Sequence, residues 1–240
     1  MRFLPFFLWF SAGIASAGEL LLQPYQLTYE ASYNGMPISA ERQLQALPNG
    51  DYELTTTAAN FFASITEKGI FSTDENGAFV HQSYQYKRNV FGKKKTEELI
   101  YDRTNMVADY TTKKKHRQVP LDKEYLNRLS YQVQLRQDLI NGKELLEYQV
   151  ISRGRLKTYR FEKSAQELLE TDLGNIKALR VDRIRKDKSR QTALWFAPEL
   201  DYLLVKLWQR EEDGEEYQIV LQQGILNGQN LSHFLTTAQK

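Results

Sequence analysis

Apolar and polar residues alternate along most of the chain with a period of two. Leu27, Tyr29, Ala31 and Tyr33 are separated by Thr28, Glu30 and Ser32. Ile38, Ala40, Leu44 and Ala46 continue the alternation, which Arg42 interrupts, and Tyr52, Leu54, Thr56 and Ala58 resume it after the Asn49-Gly50-Asp51 turn signal. A period of two turns one face of a strand to the core and the other to water, as in an antiparallel sheet. Further strands are predicted at 65–73, 79–88, 96–102 and 106–111, with short turn-like separators at Asn76-Gly77, Gly92 and Asp102 to Asn105. This is the pattern of a meander.

From Leu121 to Ile140 the period changes. Tyr125, Leu126, Leu129, Val133 and Ile140 recur at helical spacing, Asp122 is placed to cap the start, and Asn141-Gly142 offers a left-handed stop. One amphipathic helix of about five turns is predicted there, lying on the sheet. Strand patterning returns at 145–152, 155–162, 166–171, 175–186, 190–197, 201–210 and 215–223, and the tail after Gly224 is polar and expected to end loosely. The predicted fold is mainly β: a strongly curved antiparallel sheet, with the outline of a half-barrel, and one main α-helix.

The first seventeen residues, MRFLPFFLWFSAGIASA, combine Arg2, an apolar run from Phe3 to Ile14 and a small-residue Ala15-Ser16-Ala17 site. That is the pattern of a cleavable export signal, and the run is short for a membrane span. The expectation is a signal peptide over 1–17 and one β-rich periplasmic domain over 18–240. Composition agrees with a globular chain: 41% hydrophobic, 26% charged, formal net charge +2. The absence of cysteine removes disulfides, thiolate metal sites and cysteine nucleophiles from consideration.

Near-neutrality hides a strong local imbalance. Lys93, Lys94 and Lys95 form one basic run, and Lys113, Lys114, Lys115, His116 and Arg117 another, both where hairpin connections are expected. They read either as a patch for an anionic partner or as lysines protecting exposed sheet edges. A second cluster, Lys177, Arg180, Arg183, Arg185, Lys186, Lys188 and Arg190, precedes an acidic one, Glu211, Glu212, Asp213, Glu215 and Glu216. Cross-strand ion pairs between strands 178–186 and 215–222 would absorb part of both. The run from Tyr202 to Trp208 is apolar on both faces, so it is either buried twice or lines a greasy groove. In the groove reading Trp195, Phe196, Tyr202, Leu204 and Trp208 bind an apolar or amphipathic ligand.

Catalytic patterns are sparse. His81, His116 and His233 lack ligand-like spacing, no nucleophile, zinc or phosphate-loop motif occurs, and adjacent Glu97 and Glu98 point to opposite faces of a strand. No catalytic residue, metal or cofactor is expected. A resemblance sharpens the compartment without adding chemistry. Pro24 to Tyr29, Tyr84-Gln85-Tyr86-Lys87-Arg88, Leu129-Ser130, Glu170 to Gly174 and Leu194-Trp195-Phe196-Ala197-Pro198, in that order, resemble the exported bacterial family called domain of unknown function 3108. The similarity spans roughly residues 24 to 223 and implies a β-rich exported protein. A looser likeness of architecture is to periplasmic lipoprotein carriers of the LolA and LolB type. The functional expectation is therefore non-catalytic binding of a lipid or acyl chain. The alternatives are an interaction module that docks on an envelope protein or cell-wall polymer through its basic patch, and a hydrolase. No nucleic acid and no membrane span after signal cleavage are expected.

Overall fold

In the computed structural model of the chain, residues 22–33, 36–186 and 190–238 are described. The expected signal peptide and Lys188 lie outside them. The alternating segments become β1 (Tyr25–Tyr33), β2 (Met36–Ala46), β3 (Tyr52–Ala59), β4 (Ala63–Thr73), β5 (Phe79–Val90), β6 (Lys93–Asp102), β7 (Val107–Thr112) and β8 (Lys115–Pro120). After β9 (Leu126–Asn127) and helix α1 (Ser130–Ile140) come β10 (Leu146–Ile151), β11 (Leu156–Thr171), β12 (Gly174–Ile184), β13 (Gln191–Ala197), β14 (Leu203–Arg210), β15 (Glu216–Leu226), β16 (Gln229–Asn230) and helix α2 (Leu231–Ala238).

All the strands join one sheet, in the order β8 to β1, then β15 down to β9, with β16 beside β15. Neighbours are antiparallel except β9 and β10, so the chain is two meanders sewn together where β1 pairs with β15. The sheet curves without closing into a barrel and carries one main helix. The mainly β expectation is what is found.

Helix α1 fills the concave side. Leu129 and Val133 join the inward residues of β1 to β8, while Tyr131, Leu135 and Leu139 join a second cluster with Tyr148, Phe161, Leu194 and Phe196. The helix is therefore buried almost all round, including Arg136 and Asp138, rather than laid on the sheet by one stripe. It is also shorter than expected. Leu121 and Tyr125 are buried in the core ahead of it, Leu126-Asn127 pairs with β10, and Asp122 accepts the Tyr125 hydroxyl instead of capping. The first free helical donors are met by Asn127, whose Oδ1 accepts the N–H groups of Leu129 and Ser130 at 2.9 Å each. The Asn141-Gly142 stop forms as expected, with Gly142 at φ +68°.

Arg42, which breaks the hydrophobic alternation in sequence, keeps its phase in space. It is buried between Ala40 and Leu44, donating to Tyr25 Oη at 3.2 Å and to Gln132 Oε1 at 2.7 Å, so it ties the helix to the sheet. Three other expectations change. The segments 155–162 and 166–171 are one strand, β11, bent by an irregularity between Lys163 and Gln166. The run Lys115 to Pro120 is strand β8 rather than connection. The polar tail folds as α2, because Leu231 and Leu235 bury against the core.

Candidate functional site

Antiparallel registers decide which turns share an end of the sheet. Ala59 faces Ser64, Val90 faces Lys93 and Thr112 faces Lys115, so the turns at 60–62, 91–92 and 113–114 project from the same end. The β10–β11 turn arrives there from the other meander. Ser152 and Arg155 exchange backbone hydrogen bonds of 2.9 and 3.2 Å across Arg153 and Gly154, which lie at φ +55° and +68°. This is the two-residue hairpin geometry that normally takes Asn-Gly. Gly154 is required twice over, since a Cβ would fall 2.6 Å from Tyr110 Cδ1 as well as sit on a left-handed backbone.

Between the β7–β8 and β10–β11 turns lies an open cleft of about 590 Å³. Lys94, Lys95, Lys113, Lys114, Lys115 and Arg117 line it from β6, the β7–β8 turn and β8; Arg153, Arg155 and Lys157 line it from the opposite meander, with Thr96, Tyr110, Thr112 and Ser152 between. Lys93, first in its run, lies opposite Val90 at the hairpin tip beside the cleft. Thr112 Oγ1 accepts the N–H groups of Lys114 and Lys115, fixing the turn that carries the second run. Sequence alone pointed to the two lysine runs but not to Arg153, Arg155 and Lys157. Arg153-Gly154, between two strand-patterned segments, reads as a turn in the sequence, yet its place beside β7 depends on contacts between distant segments.

Under the cations sits a compensated polar floor. Glu97 is buried, with Lys95 Nζ at 2.6 Å and Arg128 Nη1 at 3.6 Å. Burial pushes its carboxyl up, but Lys95 and Arg128 outweigh that and hold it below the usual carboxylate range. Burial and the Glu97 charge push the Tyr110 hydroxyl up to about 12. Arg128 also approaches Glu67 at 3.6 Å, and Glu67 accepts the Tyr84 hydroxyl at 2.5 Å. Glu98 turns to the other face, as the alternation requires. Among the described residues only Lys95, of the nine cleft cations, is paired with an acid.

The five expected apolar ligand residues are not brought to one surface. Trp195 and Trp208 belong to the first core, whereas Phe196, Tyr202 and Leu204 belong to the second. Strand β13 is buried on both faces from Thr192 to Ala197, and β14 over Leu203, Leu204 and Val205, its remaining residues being half-buried or exposed. Trp195 is engaged by protein groups: its Nε1 donates to Glu167 at 2.7 Å, and Arg180 and Lys206 stand over its ring at 5.4 and 4.8 Å. Beside Phe196 and Leu204 the enclosed space is about 10 Å³. That is about the room of one water.

Among the described residues, Arg180 and Arg190 of the second basic cluster are paired with acids, though not between the strands expected. Strand β12 pairs with β11 and β13, and its Arg180 meets Glu167 of β11 and Asp182 of its own strand. Arg190 pairs with Glu211 and Arg210 with Glu216, so the acidic turn offsets the neighbouring basic one. The histidines stay apart. His81 is fully buried on β5, His116 on β8 bonds Asp109 at 2.9 Å, and His233 lies on α2. No group of three or more metal-ligating side chains occurs among the described residues, and no described helix is long and apolar enough to cross a membrane.

Fold and site together define an open, barrel-like β protein with a packed interior and a basic cleft on its rim. The chain belongs to the family described as "Protein of unknown function (DUF3108)", whose profile matches residues 28–222. Its fold is similar to the crystal structure of a beta-barrel-like protein of domain of unknown function DUF1849 from Brucella abortus. The TM-score is 0.53 at 8% identity, over 85% of this chain and 98% of that one. A chain from Parabacteroides distasonis described as a candidate lipoprotein aligns over 87% of this chain and 95% of its own, at 12% identity and a TM-score of 0.32. No curated protein matches.

Proposed function

We propose that this chain is a non-catalytic protein of the bacterial envelope, exported to the periplasm, that binds a phosphate-bearing envelope molecule in the rim cleft. One observation carries the reading: nine cations from two distant parts of the chain converge on one cleft, and one of them is paired. Like charges gathered this way repel one another and destabilise the folded state. Elsewhere on the surface this chain sets acids against several of its basic groups, as at Arg180, Arg190 and Arg210. An anionic ligand supplies the missing countercharge. Arg153 and Arg155 add forked donors that suit phosphate oxygens better than lysine does.

The acyl-chain form of the reading rests on Trp195, Phe196, Tyr202, Leu204 and Trp208. Geometry supports it less, since their side chains divide between two filled cores. The charged head of an amphipathic ligand is what the cleft accommodates.

The test is calorimetric titration of the protein with short inorganic polyphosphate at several salt concentrations. Binding is expected at low ionic strength, weakening steadily as salt screens the cleft. Lys113→Glu, Lys114→Glu and Arg155→Glu combined should weaken it at least about tenfold, equivalent to about 1.4 kcal/mol. Absent binding at low salt, or binding indifferent to these substitutions, would overturn the proposal.

A further inference from the structure

Three phenylalanines stand in water at the same end of the sheet as the cleft. Phe61 is 94% exposed, Phe91 74% and Phe62 57%. They touch one another across two hairpins: the Phe61 and Phe62 rings are 5.1 Å apart, and those of Phe62 and Phe91 5.3 Å. The cluster is held in place. Asn60 Oδ1 accepts the N–H groups of Phe62 and Ala63 at 2.9 Å each, and the Phe91 N–H donates to the Phe62 carbonyl at 3.0 Å.

The backbone reinforces the oddity. Phe91 sits at φ +47° ahead of Gly92 at φ +78°, in the hairpin position where asparagine or glycine avoids the steric cost of a side chain. An aromatic residue kept there, with its ring directed to solvent, contributes nothing to the core that would offset the strain. Such outliers point to function when the surrounding structure holds them. Two residues further on begins the Lys93 to Lys95 run, and the next hairpin at this end of the sheet, β7–β8, carries Lys113 and Lys114.

We infer that this rim docks on an anionic lipid bilayer, with Phe61, Phe62 and Phe91 entering the headgroup region and the neighbouring lysines meeting the lipid phosphates. The rings are borne on convex hairpin tips, which fit a deformable planar medium better than a preformed protein pocket. Aromatic insertion beside a basic cluster is also the two-signal arrangement that makes surface attachment stable. The inference deepens the proposed function, because the cations of the cleft would then face the membrane that holds their ligand.

The test is co-sedimentation of the protein with vesicles of phosphatidylglycerol and phosphatidylethanolamine, against vesicles of phosphatidylcholine alone. The protein should partition onto the first and scarcely onto the second. Phe61→Ser, Phe62→Ser and Phe91→Asn combined should reduce partitioning at least about tenfold and leave polyphosphate binding intact. The asparagine also suits the left-handed turn, so folding is preserved. The combined charge variant should lose both vesicle and polyphosphate binding. A phenylalanine variant that sediments like its parent overturns the inference while sparing the cleft. So does a parent that binds polyphosphate but no vesicle, or one whose phenylalanines prove to hold two copies together in sedimentation velocity. Vesicle binding that needs the phenylalanines in a protein blind to polyphosphate would instead sink the cleft reading alone.

Discussion

His81 is the buried side chain whose environment departs furthest from the one it would choose. Both ring nitrogens lack a hydrogen-bond partner, and the ring packs among Phe71, Phe79 and Tyr101 at 6.0, 6.3 and 5.4 Å. Burial, with the Arg103 charge behind it, pushes the imidazole down to about 3. In the unfolded chain it titrates near ~6.5. Between those values the unfolded state holds the extra proton, so stability falls as pH drops below about 6.5 and its full loss is reached near pH 3. His81→Leu removes this sensitivity. Urea midpoints measured from neutral pH downward should decline less for the variant than for the parent, and parallel declines would show that other groups set the acid limit. Arg42 gives the contrasting case, a buried charge whose donors reach Tyr25 and Gln132 and so fasten two elements together.

At the scale of elements, the cleft depends on how closely the β10–β11 turn seats against β7. Gly154→Ala would place a methyl 2.6 Å from the Tyr110 ring and 3.0 Å from Arg117 Cδ on a left-handed backbone. The expected cost is about 1–3 kcal/mol, read as a lower urea midpoint. Polyphosphate affinity should fall with it, because Arg153 and Arg155 ride on that turn. A variant matching its parent in both would show that the turn is loosely seated. Helix α1 shows why element boundaries escaped the sequence. Leu121, Tyr125 and Leu129 recur four residues apart, as helical positions do, yet Leu121 and Tyr125 are buried in irregular chain, and the next residue, Leu126, is half-buried in a short strand. Spacing alone does not separate these cases; the β9–β10 pairing does.

For the whole molecule, the seam between β1 and β15 joins segments far apart in sequence and makes one core of two meanders. Tyr29 of β1 donates its hydroxyl to the Leu204 carbonyl of β14 at 2.9 Å, and the first core takes residues from β1 through to α2. Unfolding should therefore be one cooperative event. Fluorescence of Trp195 and Trp208, both in the second meander, and far-ultraviolet circular dichroism of the whole sheet should give coincident urea transitions. Separate midpoints would mean that the meanders hold themselves independently.

The mainly β class, most strands, the Gly142 stop and the two lysine runs were legible because each is written in neighbouring residues: period two, turn residues, charge density. The burial of Arg42 in its strand and the convergence of Arg153 with Lys113 were not. Each depends on a partner scores of residues away, and period and composition carry no record of which strand lies beside which. So the sequence by itself determined that this chain builds a curved antiparallel sheet with basic hairpins. Tertiary structure decided that helix α1 fills its concave side and that the basic hairpins meet as a cleft. Register and curvature, summed over the whole sheet, set those distances.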